Sequence, residues 1–158
     1  MTAPSASDPR RDAAAAAART IVGLILLASG VHKSFAAPEE FAAVIEKYYL
    51  LPTSYLLPTA KIMPALEVLI GTALVLGWRV RLSATAAMTF FGIFLTALAS
   101  TKARGIPLED CGCFGKGIHL KPEWTMALDT VLLGLSYFSR SRSGAHAWLD
   151  AWIERGKS

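Results

Sequence analysis

The sequence predicts an all-α integral membrane protein, a four-helix bundle with a short external amphipathic helix and both termini in the cytoplasm. The first observation behind this fold class is composition. The chain has 158 residues, of which 53% are hydrophobic and only 18% charged, whereas soluble domains usually carry nearer a quarter charged residues. The second is the presence of four apolar segments, which at about 20 residues per crossing take up roughly half of the chain. What remains is too short for a folded domain outside the membrane.

The first predicted span covers about residues 14–35. Only Ile21–Val31 is an uninterrupted apolar run, so the span needs the helix-forming alanines of residues 13–18 to reach across, with Arg19 snorkelling toward an interface. A secretory signal peptide is the alternative, because basic residues precede an apolar run that ends in small side chains.

The other three predicted spans cover about residues 58–77, 82–101 and 123–138. The second contains Glu67 and the fourth contains Asp129, whereas the third has 20 residues without a charge. Small side chains four residues apart in the third span favour close approach of another helix: they are Gly92, Thr96 and Ser100.

The orientation follows from the basic residues. The short turn Trp78–Arg81 holds two arginines, and nine of the sixteen Lys and Arg residues fall on its side of the membrane, which the positive-inside rule assigns to the cytoplasm. We therefore expect a disordered cytoplasmic tail at 1–12, a membrane domain at 13–138 and a cytoplasmic tail at 139–158, in the bacterial inner (plasma) membrane. The basic residues do not cluster on one face, as nucleic-acid binding would require. We therefore expect no nucleic-acid partner, and we expect the surface to contact the lipid bilayer.

The connection after the first span predicts an external lid. Pro38 and two acidic residues begin a short helix. Its apolar residues recur at helical spacing: they are Phe41, Val44, Ile45, Tyr48 and Tyr49. Such a helix lies along the outer membrane surface or caps the bundle. The favoured interpretation is a lid that closes the external end of the bundle, and a lid can also form the mouth of a site for a lipid-soluble ligand.

The chain's two cysteines, Cys111 and Cys113, are separated by one glycine in the predicted external loop. A disulfide across so short a loop removes little entropy from the unfolded chain, so it stabilises poorly. Strained, exposed disulfides are typically labile and oxidising, and nearby basic residues together with His119 favour a thiolate. The pair therefore predicts a redox-active dithiol/disulfide that exchanges with a partner protein.

Two other interpretations of the pair stay open. Cys111, Cys113 and His119 could together hold copper or zinc, but their spacing matches no common zinc framework, and we assign no metal ligand. Alternatively, the cysteines form an inert disulfide that only shapes the loop.

Two acidic residues, Glu67 and Asp129, lie inside predicted spans, where a charge is costly and usually faces the bundle interior. We expect Glu67 to pair with Lys33, Lys61 or His32, which lie at a similar level, and Asp129 to join the same cluster. A polar network that holds the helices in register is the favoured role. The alternative, a proton relay, gains support if the cluster lies beneath the cysteine loop.

Two stretches of the chain carry a family resemblance. One is Gly30-Val31-His32-Lys33, followed by Pro38, Phe41 and residues 48–52. The other is Asp110-Cys111-Gly112-Cys113-Phe114-Gly115. In both, the chain resembles the MauE-type methylamine utilisation membrane proteins, which are related to DoxX-like four-helix membrane proteins. The similarity covers about residues 15–138, and the cysteine string is its most specific part.

The resemblance implies a membrane protein that helps periplasmic redox enzymes to mature. In that family the expected activity is support of disulfide formation in the small subunit of methylamine dehydrogenase, together with a thioredoxin-like partner. Carried over, Cys111 and Cys113 are the redox pair, and Lys33 and Glu67 are polar matches. The DoxX-like relatives imply a different role, as subunits of quinone-linked sulfur oxidoreductases.

The functional expectation is a membrane-embedded thiol–disulfide redox protein in which Cys111 and Cys113 exchange with a periplasmic thioredoxin-like protein or a disulfide-containing redox enzyme. Lys33, Glu67, His119 and Asp129 are the expected supporting polar residues. A quinone held between helices is a candidate electron acceptor, inferred from architecture and from no cofactor motif. The alternative is a non-catalytic accessory subunit of a larger membrane oxidoreductase complex. Whether the chain is itself a thiol–disulfide oxidoreductase stays open.

Overall fold

The computed structural model of the chain describes residues 9–106 and 122–141. All regular structure in these two ranges is helical, as the sequence predicts. The helices are α1 (Pro9–Phe35), α2 (Pro38–Glu46), α3 (Thr53–Leu76), α4 (Val80–Ala103) and α5 (Pro122–Ser141). Cys111, Cys113 and His119 lie outside the described residues.

Three helices are long and apolar enough to cross a membrane: α1 from Arg10, α3 and α4. The helix at the predicted fourth span, α5, is not among them. Its charged residues Glu123, Asp129 and Arg140 lower its hydropathy. The apolar helices indicate a membrane protein, and a crossing by α5 stays a prediction.

Two helices, α1 and α3, begin about five residues before the predicted spans. α1 starts at Pro9, so residues 9–12 are helical although the sequence suggested disorder for 1–12. Within it Arg19 is only 6% exposed and lies among the helices rather than snorkelling outward. α3 starts at Thr53, five residues before the predicted span, and its first turns add Leu56 to a cluster with Phe41 of α2.

The closest helix contact joins α1 and α3, which run antiparallel. A Cβ atom placed on Gly71 would lie 2.7 Å from the carbonyl oxygen of Gly23, and one on Gly30 would lie 2.8 Å from the carbonyl oxygen of Pro64. Since real Cβ atoms do not approach so closely, the glycines set the distance between the two backbones.

The small residues of α4 do not perform this role, contrary to the sequence-based expectation. A Cβ atom on Gly92 would have no neighbour within 4 Å, and Thr96 is exposed, with its hydroxyl bonded to the carbonyl oxygen of Gly92 in its own helix. Gly92 and Thr96 therefore make no close contact with another described helix.

The main apolar core lies between four helices. It joins Val22 and Leu26 of α1, Leu74 of α3, Phe91 of α4 and Leu132 of α5. α1 packs chiefly on α3 and also on α5, while α4 packs chiefly on α5 and also on α3. α2 lies on α3, and we call the end of the molecule that carries it the α2 end.

The opposite end holds the sharp turn between α3 and α4. Gly77 ends α3 in the left-handed conformation, φ 69°, and the Trp78 amide donates to the carbonyl oxygen of Ala73 at 2.9 Å. This is the usual glycine termination of a helix. We call this end the turn end, and it carries the basic residues Arg79 and Arg81.

Candidate functional site

A buried ion pair joins the two most closely packed helices. The ammonium Nζ of Lys33 in α1 lies 2.6 Å from Oε1 of Glu67 in α3, and the two side chains are 3% and 4% exposed. Because neither charge reaches solvent, each depends on the other for compensation. Of the three cations that the sequence offered, the structure selects Lys33, while Lys61 and His32 are exposed.

Ser29 completes the pair. Its hydroxyl donates to Oε2 of Glu67 at 3.0 Å, and Lys33 donates to the same hydroxyl at 3.1 Å. Both carboxylate oxygens and the ammonium are thereby hydrogen-bonded, as buried charges require. Ser29 and Lys33 share a helix face because they are four residues apart.

Local sequence explains why the pair forms at this position. Gly30 lies on α1 between Ser29 and Lys33, and a Cβ atom there would lie 2.8 Å from Cβ of Glu67. The missing side chain brings the α1 backbone against α3 at the level of the carboxylate. The predicted motif Gly30-Val31-His32-Lys33 therefore has a structural reason: the glycine makes room for the partner of the lysine.

The ring of Phe41 covers the ion pair from the α2 end. The Lys33 ammonium lies 5.1 Å from the centre of this ring, a distance at which a cation is attracted to an aromatic face. Phe41 belongs to α2 and is 8% exposed. The short helix thus seals the charged site.

Asp129 of α5 faces the same place. A cavity of about 30 Å³ is lined by Ser29, Lys33, Glu67 and Asp129, together with apolar side chains of α1, α4 and α5. One water molecule requires roughly 10–15 Å³ measured in this way. The structure therefore brings together three of the predicted polar residues, from three helices, around a space of water size. We call Ser29, Lys33, Glu67 and Asp129 the ion cluster.

A larger cavity lies under α2. Its volume is about 210 Å³, and the atoms that face it are apolar. Phe41, Val44, Ile45 and Tyr48 form its roof, with α3 and α4 as the walls. We call it the lid pocket. The apolar face of α2 thus packs toward α3 and α4, except at Tyr49, which is 73% exposed.

The lid pocket and the cavity of the ion cluster are neighbours. Phe94 of α4 lines both, and Phe41 lines the lid pocket while covering Lys33. Tyr48 packs on Phe94 with ring centres 6.2 Å apart. Aromatic side chains therefore lie between the apolar space and the buried charges.

Arg104 fastens the roof of the lid pocket. From the end of α4 its guanidinium donates to the carbonyl oxygens of Tyr48 at 2.6 Å and Tyr49 at 3.3 Å. Tyr49 adopts the left-handed conformation, φ 50°, three residues after α2 ends at Glu46. Arg104 thereby ties the segment that follows α2 to the end of α4.

The ends of α4 and α5 are close together. Nζ of Lys102 lies 3.6 Å from Oε1 of Glu123, with both side chains more than half exposed. The stretch with Cys111, Cys113 and His119 connects these two ends along the chain and lies outside the described residues. Its point of attachment is thus at the α2 end, beside Arg104.

Sequence reasoning missed three residues of this region. Ser29 could have been found from its four-residue spacing to Lys33. Phe41 belongs to the predicted apolar face of α2, but its contact with the ammonium depends on how α2 folds back over α1. Arg104 precedes Cys111 by seven residues, and nothing in the sequence signals its bonds to the carbonyls after α2.

Comparison with known proteins gives one match. The sequence resembles no curated protein and no solved structure closely enough to match. The family model described as methylamine utilisation protein MauE matches residues 11–141, which covers more than half of the chain and includes both the ion cluster and the cysteine stretch. The chain therefore belongs to the MauE family of methylamine utilisation proteins.

Proposed function

We propose that this protein is a membrane thiol–disulfide redox protein that supports disulfide formation in periplasmic redox proteins. The observation that carries the proposal is the Cys111-Gly112-Cys113 sequence in a chain of the MauE family. The family description points to methylamine utilisation, and the enzyme served here is a methylamine dehydrogenase or another disulfide-containing redox protein.

The proposed topology has four spans, with α5 as the fourth and both termini in the cytoplasm. The helix ends support it, because the turn end carries Arg79 in a very short connection and Arg81 in the first turn of α4, and basic residues at such turns are typical of the cytoplasmic side. The stretch between α4 and α5 then lies on the periplasmic side, where disulfides persist.

Asp129 does not oppose a crossing by α5. It faces the cavity that Lys33 and Glu67 also line and is 6% exposed. Charged residues in membrane helices are tolerated when they face a polar interior of this kind. In this function the ion cluster is a structural element that holds α1, α3 and α5 together.

The reaction is an exchange through a mixed disulfide. A thiolate of the partner attacks one sulfur of the Cys111–Cys113 disulfide and releases the other sulfur as a thiolate. The second thiolate of the partner then attacks the mixed disulfide, so that the partner gains a disulfide and the Cys pair is reduced by two electrons. Return to the disulfide requires a two-electron acceptor, and a membrane quinone is the class proposed.

The decisive experiment replaces the cysteines in cells that make a disulfide-containing periplasmic partner. Cys111→Ser/Cys113→Ser should abolish oxidation of the partner, measured by gel shift with a thiol-reactive polymer, while the variant stays in the membrane at the wild-type level. One of the two single variants should accumulate a mixed disulfide with its partner. Full oxidation of the partner by the double variant would overturn the redox function and favour an accessory subunit.

A further inference from the structure

The lid pocket has the size of a ligand site. Its volume of about 210 Å³ exceeds the roughly 150 Å³ of an apolar protein cavity that binds benzene. It therefore has room for a single six-membered ring with small substituents. Fused macrocycles such as haem are too large for it.

The depth of the pocket limits what can enter. Its α4 residues Ile93 and Ala97 lie ten and six residues before the end of the helix at Ala103. At 1.5 Å per residue this places the pocket about 9–15 Å below that end, at the level of lipid chains. Ile93 is 61% exposed and Leu50 is 45% exposed, so these walls continue onto the surface that faces lipid. The ligand reaches the pocket from the bilayer.

The walls select an uncharged molecule with flat apolar faces. Phe41, Tyr48 and Phe94 contribute three aromatic rings, which favour packing against another ring. An acyl chain gains no hydrophobic stabilisation here, because it leaves surroundings that are equally apolar, and it loses conformational freedom. A rigid ring loses much less. Carbonyl oxygens on the ring are not penalised, since they have no hydrogen-bond donors in the hydrocarbon either.

We propose that the lid pocket binds the ring of a membrane-dissolved quinone. The choice of a quinone among ring-containing molecules rests on the proposed function, in which the cysteine pair must pass two electrons and two protons to an acceptor. The pocket lies at the α2 end, where the cysteine stretch is attached, and Arg104 holds its roof closed over the site.

The test uses a photoreactive azido derivative of decylubiquinone on the full-length protein in bilayer nanodiscs. In the wild-type protein the label should map to residues 41–63 and 93–97. A hundredfold excess of decylubiquinone should suppress labelling, and the same excess of a phospholipid with ten-carbon chains should not. Labels that map elsewhere, or equal suppression by the phospholipid, would overturn the proposal in favour of a lipid-filled space.

Two variants test occupancy directly. Ala97→Phe fills the pocket from α4 and should lower labelling at least tenfold. Its matched control is Ala99→Phe, two residues away on the exposed side of the same helix, which should label like the wild type. Thr59→Phe fills the pocket from α3 and should reproduce Ala97→Phe. Undiminished labelling of either filled variant, with wild-type helical content, contradicts the proposal.

The same labelling separates this inference from the proposed function. Cys111→Ser/Cys113→Ser should bind the quinone derivative as the wild type does, because the described walls of the pocket come from α2, α3 and α4. If the wild-type protein oxidises its partner but does not bind the derivative, the pocket inference is wrong and the redox function stands. If the protein binds the derivative but oxidation of the partner does not depend on the cysteines, the redox function is wrong and the pocket inference stands.

Discussion

Lys33 and Glu67 form a 2.6 Å ion pair between α1 and α3 at a depth where the side chains are 3% and 4% exposed. The Ser29 hydroxyl donates a hydrogen bond to Glu67, and the ring of Phe41 lies over the Lys33 ammonium. Its formation depends on Gly30, which removes the side chain that would separate the helices. The geometry leads to predictions about stability, the lid and topology.

Breaking the ion pair should destabilise the protein strongly. Lys33→Met or Glu67→Gln alone should lower the free energy of unfolding by about 3–5 kcal/mol, because a buried charge or polar group loses its partner. Lys33→Met/Glu67→Met removes both charges and should recover most of the loss. Unfolding in mixed micelles, followed by circular dichroism, measures each variant.

The control for this pair is Glu46→Gln, at an exposed position of α2, which should change stability by less than about 0.5 kcal/mol. If the losses of the two single variants simply add in the double variant, Lys33 and Glu67 do not interact energetically.

Two glycines should respond in opposite directions. Gly30→Ala places a Cβ atom 2.8 Å from Glu67 and Pro64, so it should separate α1 from α3 and cost about 1–3 kcal/mol. Gly92→Ala meets no atom within 4 Å and should be neutral or stabilising by up to about 1 kcal/mol, because alanine favours helix. Thermal unfolding of the two variants side by side tests this, and equal losses would contradict the assigned helix contact.

Removing the Arg104 side chain should loosen α2. Arg104→Met loses two hydrogen bonds to backbone carbonyls worth roughly 1 kcal/mol at an exposed site. Amide hydrogen exchange in residues 44–51 should therefore rise about fivefold. Lys102→Met is the matched control, since its ion pair with Glu123 is exposed and contributes little. Unchanged exchange in the Arg104 variant would show that packing alone holds the lid.

Topology can be read from the cysteines. After reduction, Cys111 and Cys113 should react with a membrane-impermeant maleimide in intact spheroplasts. A cysteine introduced at Arg79, on a chain without the native pair, should react only after the membrane is opened. The reverse pattern would invert the proposed orientation.

Some of this site was predictable from sequence, for a definite physical reason. A charge such as Glu67 inside an apolar segment requires a partner, so the sequence alone predicts an ion pair. The choice of Lys33 over Lys61 could not be predicted, since it depends on a helix contact made at Gly30. Small residues alone are ambiguous: those of α1 and α3 form a contact, while Gly92 on α4 does not.

The fold, too, has features that the sequence predicts and features that it does not. The helices follow from apolar length and from turn residues such as Gly77. The first turns of α3, by contrast, bury Leu56 against α2, a contact that no local signal encodes. The burial of Arg19 likewise depends on surrounding helices. Such features depend on tertiary contacts, which cannot be deduced from composition.

The different positions of Lys33 and Glu67 along their own helices have a consequence for biosynthesis. Lys33 lies two residues from the end of α1, so its long side chain can reach the headgroups while α1 is alone in the bilayer. Glu67 lies fourteen residues into α3 and nine before its end, beyond such reach. Entry of α3 into lipid is therefore least costly when α1 is still beside the translocon, where Lys33 can pair with Glu67. The two segments should then partition into the membrane as a pair.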